Sequence, residues 1–252
     1  MLQELTSRKN PTITRLRALA ADGAFRRAEG EYLCDGEKLL LEAIEKGAEI
    51  RNVLWKGTAR PLPGLERARQ YVAPAELFDY ASPMKNSPGP IFTLAIPPEG
   101  EPVFTRAILL ENVQDPGNVG TILRTAAAMG VDTAILCGDC ADPYSPKTAR
   151  ATMGAIFREK LLHRSAEEAA ALARKNGLPL YGAALSSKAR DLRELDITRA
   201  AVAVGSEGQG LSAELLALCR GEVIIPMDAR SESLNAAVAA SVLMWEMTRE
   251  NR

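Results

Sequence analysis

Three segments in the second half of the chain place glycines and polar side chains next to short apolar runs. They cover residues 112–124, 201–212 and 224–239. The apolar runs predict buried strands, and in open α/β sheets ligands bind at the carboxyl ends of the strands. We therefore expect these segments to contribute to a ligand-binding site.

The first segment carries an arginine into a helix predicted over Thr121–Met129. The preceding residues Asp115–Asn118 predict a tight turn, and Asn118 is a suitable helix cap. Arg124 then falls in the first turn, where a cation faces the positive end of the helix dipole. An arginine tolerated there could bind an anion such as a phosphate. The alternative is an exposed arginine without a role.

The second segment, AVAVGSEGQGLS, places glycines directly after a predicted buried strand, so that the backbone can approach a ligand closely. Its G-x-x-G-x-G order differs from the dinucleotide-binding G-x-G-x-x-G, and no P-loop lysine follows. A plain tight turn explains the glycines about as well. Glu207 is more informative, because its carboxylate can accept hydrogen bonds or order a neighbouring loop.

The third segment runs from Ile224 through the sequence IIPM and reaches the sequence SLN before the terminal helix. Ser233 is a good N-cap for a helix predicted over Ser233–Glu250, and capping alone would explain its presence. The small residues that follow allow close backbone packing, although ordinary core packing explains them too.

Taken together, these motifs resemble the TrmH/SpoU branch of the SPOUT RNA methyltransferases. The matching patterns are N-x5-N-x-G-x3-R, G-x-E-G-x-G and I-P-M followed by S-L-N, in the family's order and spacing. The segment 142–157 also resembles the family's stretch between the first two motifs. The first half resembles, more loosely, the substrate-binding domain of many members, but departs from it at Cys34-Asp35-Gly36 and Pro88-Gly89-Pro90.

The resemblance implies an S-adenosylmethionine-dependent enzyme that methylates a ribose 2′-hydroxyl in structured RNA. It implies a homodimer formed through the C-terminal domain, a parallel α/β sheet with a deep trefoil knot, and a smaller N-terminal α/β RNA-binding domain of ribosomal-protein-like fold. We expect 23S-type rRNA as the substrate, with tRNA second. The alternative is a non-catalytic RNA-binding or ribosome-assembly protein that retains the fold. The glycine order disfavours a third possibility, a nicotinamide-dependent oxidoreductase.

The resemblance also assigns the residues of the site, and no metal is expected in it. The predicted catalytic residues are Arg124, Asn118, Glu207, Ser233 and Asn235. The predicted cofactor-binding residues are Gly205, Glu207, Gly210, Ile225, Met227, Ser233 and Leu234.

The formal net charge of −1 excludes a whole-protein electrostatic argument for nucleic-acid binding. RNA affinity must therefore come from local basic patches, and the sequence offers one over 7–27 and one over 147–164. The predicted RNA-binding residues are Arg8, Arg15, Arg17, Lys147 and Arg150. Solvated helix faces explain each patch equally well.

Histidine and cysteine offer little catalytic or metal chemistry. His163 is the single histidine, which excludes a His-based triad or metal cluster unless this residue carries it. Cys137 and Cys140 have C-x-x-C spacing, but no second pair completes a zinc site, so we favour a structural role. The N-terminus lacks the apolar core of a signal peptide, and we expect a cytoplasmic protein with reduced thiols.

Two domains are predicted on either side of a composition break at 97–104, PPEGEPVF. We expect a substrate-binding domain over 1–98, a linker over 99–104 and the methyltransferase domain over 105–252. Trp55 and Trp245 lie in apolar runs and are expected in the core. Strands alternate with helices in the second half, which favours a parallel sheet covered on both faces. The main predicted strands are 50–55, 91–96, 106–110, 133–137, 179–183, 200–204 and 222–225, and the main predicted helices are 11–21, 35–46, 74–80, 121–129, 166–176, 212–219 and 233–250.

Overall fold

The computed structural model describes residues 2–100, 102–228, 230 and 232–249. The strands in chain order are β1 (Leu2–Glu4), β2 (Glu31–Asp35), β3 (Ile50–Lys56), β4 (Arg69–Ala73), β5 (Ile91–Ala95), β6 (Ala107–Glu111), β7 (Thr133–Cys137), β8 (Leu161–His163), β9 (Leu180–Ala183), β10 (Arg190–Asp191), β11 (Ala201–Val204) and β12 (Gly221–Ile224). The α-helices are α1 (Pro11–Ala21), α2 (Gly23–Glu29), α3 (Glu37–Glu45), α4 (Ala75–Ala81), α5 (Pro116–Met129), α6 (Pro146–Ala151), α7 (Ala166–Lys175), α8 (Ala213–Leu218) and α9 (Ala236–Met247).

Packing divides the chain into two compact units. The first comprises Met1–Pro98 and Asp142–Phe157, and the second comprises Glu99–Ala141 and Arg158–Arg252. The domain boundaries predicted from the sequence leave 142–157 in the second domain, whereas its contacts place it in the first unit. One interaction that holds the segment there is an ion pair, in which the Nε and Nη2 atoms of the buried Arg26 donate to Asp142 at 2.9 and 2.7 Å.

The first unit is built on a five-stranded mixed sheet in the order β1-β4-β3-β5-β2. Strands β1, β4 and β3 pair in parallel, and β5 runs antiparallel to both β3 and β2. Helices α1 and α4 pack on this sheet through a core that includes Leu16, Leu33, Leu54 and Phe78. Helix α6, from the segment 142–157, packs against β2.

The second unit is built on a seven-stranded sheet in the order β10-β12-β9-β11-β6-β7-β8, and every pairing in it is parallel. Strands β6 and β7 are buried at every position, as expected for a parallel sheet covered on both faces. The predicted parallel α/β sheet is therefore confirmed. The carboxyl ends of β6, β9, β11 and β12 lead into the loops that carry the candidate site.

Helix α5 begins five residues earlier than the sequence predicted, at Pro116 rather than Thr121. Asp115 is its N-cap, and the carboxylate accepts a hydrogen bond from the Asn118 amide at 2.9 Å. Proline at the first helical position suits this start, because its fixed φ is already helical. The predicted tight turn is thus the first turn of the helix, and the prediction that Asn118 caps the helix was wrong.

The start of α5 at Pro116 also changes the position of Arg124 within the helix. This residue lies eight positions beyond Pro116, more than two turns into the helix. The helix dipole acts within the first and last turns, so it does not destabilise a cation at this position. The predicted first-turn position was wrong, and any role of Arg124 must rest on its exposure.

Helix α9 begins at Ala236 with Asn235 as its N-cap, so the predicted cap at Ser233 was wrong. The Asn235 side-chain oxygen accepts from the amides of Ala237 and Val238 at 2.9 and 3.2 Å. The helix ends at Met247, and its predicted end at Glu250 lies outside the described residues.

The two tryptophans differ in their burial. Trp55 is 3% exposed, as predicted, but Trp245 is 50% exposed, so the prediction that it lies in the core was wrong. Among the described residues, no helix has the length and apolar character needed to cross a membrane.

Glu159 makes the stability of the second unit sensitive to pH. Its Oε1 atom is buried without a hydrogen-bond partner in the described part of the chain. Burial raises the pKa of this carboxyl to about 8; Arg158 opposes the shift and Asp132 adds to it. Because the pKa is raised by folding, the folded protein binds the proton more tightly, and its stability falls as the pH rises from about 4.5 to about 8.

We expect Glu159→Gln to stabilise the protein by roughly 1–3 kcal/mol at pH 8.5, because the amide stays uncharged where the buried carboxyl would ionise. At pH 5 the carboxyl is protonated in the folded protein, so the stability should change little. Urea unfolding at both pH values measures the difference, with the exposed Glu4→Gln as the matched control. Equal effects of Glu159→Gln at pH 5 and pH 8.5 would contradict this assignment.

Candidate functional site

A cavity of about 550 Å³ opens at the carboxyl ends of β9, β11 and β12 in the second unit. It is lined by three stretches that follow these strands. All seven predicted cofactor-binding residues line it, namely Gly205, Glu207, Gly210, Ile225, Met227, Ser233 and Leu234. We call it the sheet-edge cavity.

The lining of the sheet-edge cavity combines apolar walls with acidic groups. The apolar walls include Leu211, Ile225, Met227 and Leu234. The charged residues in its lining are Glu207, Glu222 and Glu232, and the described lining contains no lysine, arginine or histidine. Such a cavity favours a ligand with an apolar body and a positive charge.

The glycine turn that borders this cavity is closed by its own backbone. The Gly210 amide donates to the Ser206 carbonyl at 2.9 Å, and Gly210 has a left-handed φ of 67°. A Cβ atom at Gly205 would lie 2.1 Å from the carbonyl carbon and oxygen of Gly210. Any side chain at Gly205 would therefore displace the turn itself. A substitution at Gly205 would change the structure of the turn as well as the cavity beside it.

Glu207 joins three separate segments through one carboxylate oxygen. Its Oε1 atom accepts from Asn118 Nδ2 at 2.9 Å, from Asn235 Nδ2 and from the Ala236 amide at 3.2 Å. Asn235 Nδ2 also donates to Asn118 Oδ1 at 3.1 Å. Three of the five predicted catalytic residues thus form one hydrogen-bonded network.

A second cavity of about 550 Å³ adjoins the network and has a largely polar lining. We call it the polar cavity. Asn112, Gln114, Asp115 and Asn118 contribute to its lining. Because Glu207 lines both cavities, the network lies where the two meet.

The other two predicted catalytic residues are placed differently. Ser233 is exposed and lines the sheet-edge cavity. Arg124 is exposed on α5 and lines neither cavity. The described residues offer its guanidinium no hydrogen bond or ion pair, so the structure does not join Arg124 to the network.

Sequence reasoning missed Glu111, the last residue of β6. It is 6% exposed and accepts from both the amide and the hydroxyl of Ser212 at 2.7 Å. These bonds tie the end of the glycine turn to strand β6. The signal was available in the sequence, because a glutamate that closes a fully apolar strand is buried and must find donors.

Asn112 was quoted in the first motif but given no role. It adopts a left-handed φ of 54°, and its Oδ1 atom accepts from the Asp139 amide at 2.8 Å. Strained residues of this kind cluster at functional sites. Its presence in the lining of the polar cavity adds Asn112 to the candidate site.

The predicted RNA-binding residues all lie in the first unit but in different settings. Arg8 and Arg17 are exposed and stack on the Tyr80 ring, at 4.7 and 4.1 Å from its centroid. Arg8 also pairs with Glu76 at 2.5 Å, and Arg15 pairs with Glu29 and Glu31, so acidic partners offset the charge of both arginines.

Lys147 and Arg150 are both exposed on α6. Their predicted patch is divided, because the remaining cations of 147–164 belong to the second unit.

The cysteine pair has only backbone partners. Cys140 Sγ lies 3.3 Å from the carbonyl oxygens of Leu110 and Cys137, and all four cysteines are free thiols. Among the described residues, no group of three or more histidine, cysteine, aspartate or glutamate side chains could hold a metal ion.

We expect Glu207→Ala to lower the free energy of unfolding by about 0.5–1 kcal/mol, because three donors lose their shared acceptor at a largely exposed site. Glu207→Gln should be nearly neutral, since all three bonds end on one oxygen that an amide retains. Urea unfolding compares the two variants. Equal losses in both would show that the charge, and not the shared acceptor, holds the network together.

Comparisons with known proteins show the family of this chain. Residues 105–245 match the model of the SpoU rRNA methylase family. An uncharacterised tRNA/rRNA methyltransferase of Synechocystis is 33% identical over 99% of this chain and 94% of its own length. The 23S rRNA (guanosine(2553)-2′-O)-methyltransferase RlmP of Bacillus subtilis is 32% identical over 86% of this chain and 88% of its own. The AdoMet-bound rRNA methyltransferase from Sinorhizobium meliloti superimposes with a TM-score of 0.87 at 26% identity, covering 99% of this chain and 98% of that one. The chain therefore belongs to the SpoU rRNA methylase family.

Proposed function

We propose that this protein transfers a methyl group from S-adenosylmethionine to a ribose 2′-hydroxyl of RNA. The observation that carries the proposal is the sheet-edge cavity, whose charged lining is purely acidic in the described residues. S-adenosylmethionine carries a sulfonium and an ammonium, which acidic groups can stabilise, and a flat adenine, which can pack against the apolar walls. The cavity volume also lies in the range of about 300–1,000 Å³ that is usual for cofactor sites.

Bound S-adenosylmethionine supplies a methyl group that its positively charged sulfur already activates. The protein must align the ribose oxygen with that methyl group and deal with the hydroxyl proton. The polar cavity offers amide groups that can hold a ribose beside the cofactor. The three hydrogen bonds on Glu207 Oε1 indicate that this carboxylate orders the loops around the reacting atoms.

Arg124 is our candidate for the residue that acts on the hydroxyl. A protonated guanidinium has no free acceptor for a proton, so it is a poor base on its own. We propose that Arg124 binds the RNA phosphate next to the target ribose, and that this pair accepts or relays the proton. The exposed guanidinium supports the role, because the described residues offer it no competing carboxylate.

Ribosomal RNA of the 23S type is the substrate that we favour, with tRNA second, in keeping with the names of the relatives. Along the sequence we assign 1–98 as the RNA-binding domain, 99–104 as the linker and 105–252 as the methyltransferase domain, from which the segment 142–157 packs in the first unit. The linker includes Glu101, which lies outside the described residues. A cytoplasmic location completes this proposal.

We also propose a deep trefoil knot in the methyltransferase domain. The strand order supports it, because β11 lies between β9 and β6 while the next strand, β12, lies on the far side of β9. Helix α9 then returns to pack against α5. A chain that crosses its own sheet and comes back follows the kind of path that a knot requires.

A homodimer formed through α9 is the last part of the proposal. Val238 and Trp245 are 49% and 50% exposed, and seven residues apart they share one face of the helix. Exposed apolar faces of this kind mark interaction surfaces. Thr125, which follows Arg124 in α5, contacts Ser241 of α9 at 3.4 Å. Arg124 therefore lies near this proposed interface.

Methyl transfer from labelled S-adenosylmethionine to 23S-type rRNA, with identification of the modified nucleoside, tests the activity. We expect Arg124→Ala to reduce the single-turnover rate at least a hundredfold, or about 2.7 kcal/mol, at saturating RNA. Arg124→Lys should recover little, because an ammonium cannot reproduce the planar fork at a phosphate. Calorimetry should show unchanged cofactor affinity in both variants.

The matched control is Arg174→Ala, an exposed helical arginine of the same unit. Normal turnover in Arg124→Ala would remove Arg124 from the mechanism. RNA binding by the unaltered protein without any methyl transfer would favour the non-catalytic alternative.

We expect Trp245→Glu to convert a dimer into a monomer in sedimentation equilibrium, because it places a charge in the proposed apolar interface. Val103→Glu is the control, since Val103 is 87% exposed and is not part of α9. An unaltered protein that sediments as a monomer would overturn the proposal, as would a Trp245→Glu variant that remains a dimer.

A further inference from the structure

The first unit contains its own cavity of about 630 Å³, and of the predicted site residues only Arg150 lines it. It is formed by the start of α3, the end of β3, the loop 84–90 and two residues of the segment 142–157. Its lining includes Asp35, Lys38, Leu39, Trp55, Met84, Lys85, Asn86, Arg150 and Met153. We call it the α3 cavity.

The charges around the α3 cavity favour an anion. Its lining contains five lysines and arginines against three carboxylates. Two of the cations are paired, Arg60 with Glu37 at 2.7 Å and Lys56 with Asp79 at 2.6 Å. The described residues place no carboxylate within ion-pair distance of Lys38, Lys85 or Arg150. These three exposed cations remain available to a phosphate.

The apolar part of the lining suits a flat aromatic group. Met84 and Met153 line the cavity together with Arg150, whose Nη1 atom lies 3.2 Å from Met84 Sδ. Met153 is 46% exposed, unusual for a large apolar side chain, whereas Leu39 and Trp55 form a buried floor. Methionine sulfur makes favourable contacts with aromatic rings, and an unstacked base offers such a ring.

The backbone around the α3 cavity is held in uncommon conformations. The described chain has three non-glycine residues with positive φ, and two of them, Asn86 at 57° and Met153 at 50°, line this cavity. The third, Asn112, lines the polar cavity of the second unit. A neighbouring glycine, Gly154, packs so tightly that a Cβ there would lie 2.6 Å from Glu42. Strain held in place by packing is typical of binding sites.

Asp35 supplies a hydrogen-bond acceptor in the same cavity. Ser82 and Ser87 each donate to a different oxygen of its carboxylate. Each carboxylate oxygen can accept two hydrogen bonds, so both retain capacity for a ligand N–H group. The cavity thus combines phosphate-binding cations, an apolar surface and an acceptor for the polar edge of a base.

We propose that the α3 cavity binds one unpaired nucleotide of the RNA substrate, with its phosphate on Lys85 and Arg150 and its base between Met84 and Met153. The inference rests on the proposed function, because it identifies how that enzyme's substrate is recognised. The segment 142–157 contributes Arg150 and Met153, so a stretch within the methyltransferase half of the sequence completes the recognition site.

Methionine methyl groups report directly on this site. In protein with 13C-labelled methionine methyls and saturating S-adenosylhomocysteine, we expect guanosine 5′-monophosphate to shift the Met84 and Met153 signals. Met227, which lines the sheet-edge cavity, should not move. The double variant Lys85→Gln/Arg150→Gln should bind the nucleotide at least tenfold more weakly. Lys46→Gln/Arg67→Gln, with the same charge change in the same unit but outside the α3 cavity, should bind it normally.

The same double variant should raise the KM for rRNA at least tenfold and leave kcat unchanged. Silent Met84 and Met153 signals would overturn the proposal, and so would equal shifts caused by inorganic phosphate alone. Normal methylation kinetics in the double variant would overturn it while the proposed function stands. Nucleotide binding at this cavity without any methyl transfer would instead refute the proposed function and leave this site intact.

Discussion

The candidate site depends on one carboxylate oxygen that three chain segments share. Glu207 Oε1 receives donors from Asn118, 89 residues earlier, and from Asn235, 28 residues later. These segments begin α5, form the glycine turn and begin α9, so one acceptor fixes two helix starts against a tight turn. The turn in turn depends on Gly205, because no side chain fits against the Gly210 backbone. The walls of both cavities in the second unit follow from this arrangement.

The sequence predicted the parallel sheet, and the seven residues predicted to bind the cofactor line one cavity, because buried strands and close backbone approaches both leave local signals. Apolar runs mark buried strands, and glycines mark places where backbone approaches backbone. Helix starts were less predictable: Asp115 and Asn235 cap α5 and α9, whereas Asn118 and Ser233 are equally good capping types nearby. Strands β1, β8 and β10 have only two or three residues, too few for a periodic pattern.

The packing of 142–157 in the first unit could not be predicted from local sequence patterns. Nothing within the segment shows that Asp142 will meet Arg26, since the pair is separated by 116 residues. Burial makes the pairing strongly selective, because Arg26 is only 4% exposed and a buried guanidinium without a carboxylate is costly. Tyr144 adds a ring contact with Tyr32 at 5.0 Å. A segment within the methyltransferase half of the sequence is thereby packed into the first unit.

Charge pairing decides where an anionic partner can bind to this chain. With 31 basic and 32 acidic side chains, it can attract RNA only where basic groups lack acidic partners. Several arginines of the two basic patches are paired inside the fold: Arg15 with Glu29 and Glu31, Arg26 with Asp142, and Arg164 with Glu99. In the described chain no carboxylate pairs with Lys85, Arg124 or Arg150. Counting cations along the sequence therefore overestimates the RNA surface, and the affinity must come from a few phosphate contacts at defined positions. A small number of contacts also implies a shallow dependence of RNA binding on salt, since each neutralised phosphate adds its own counterion release.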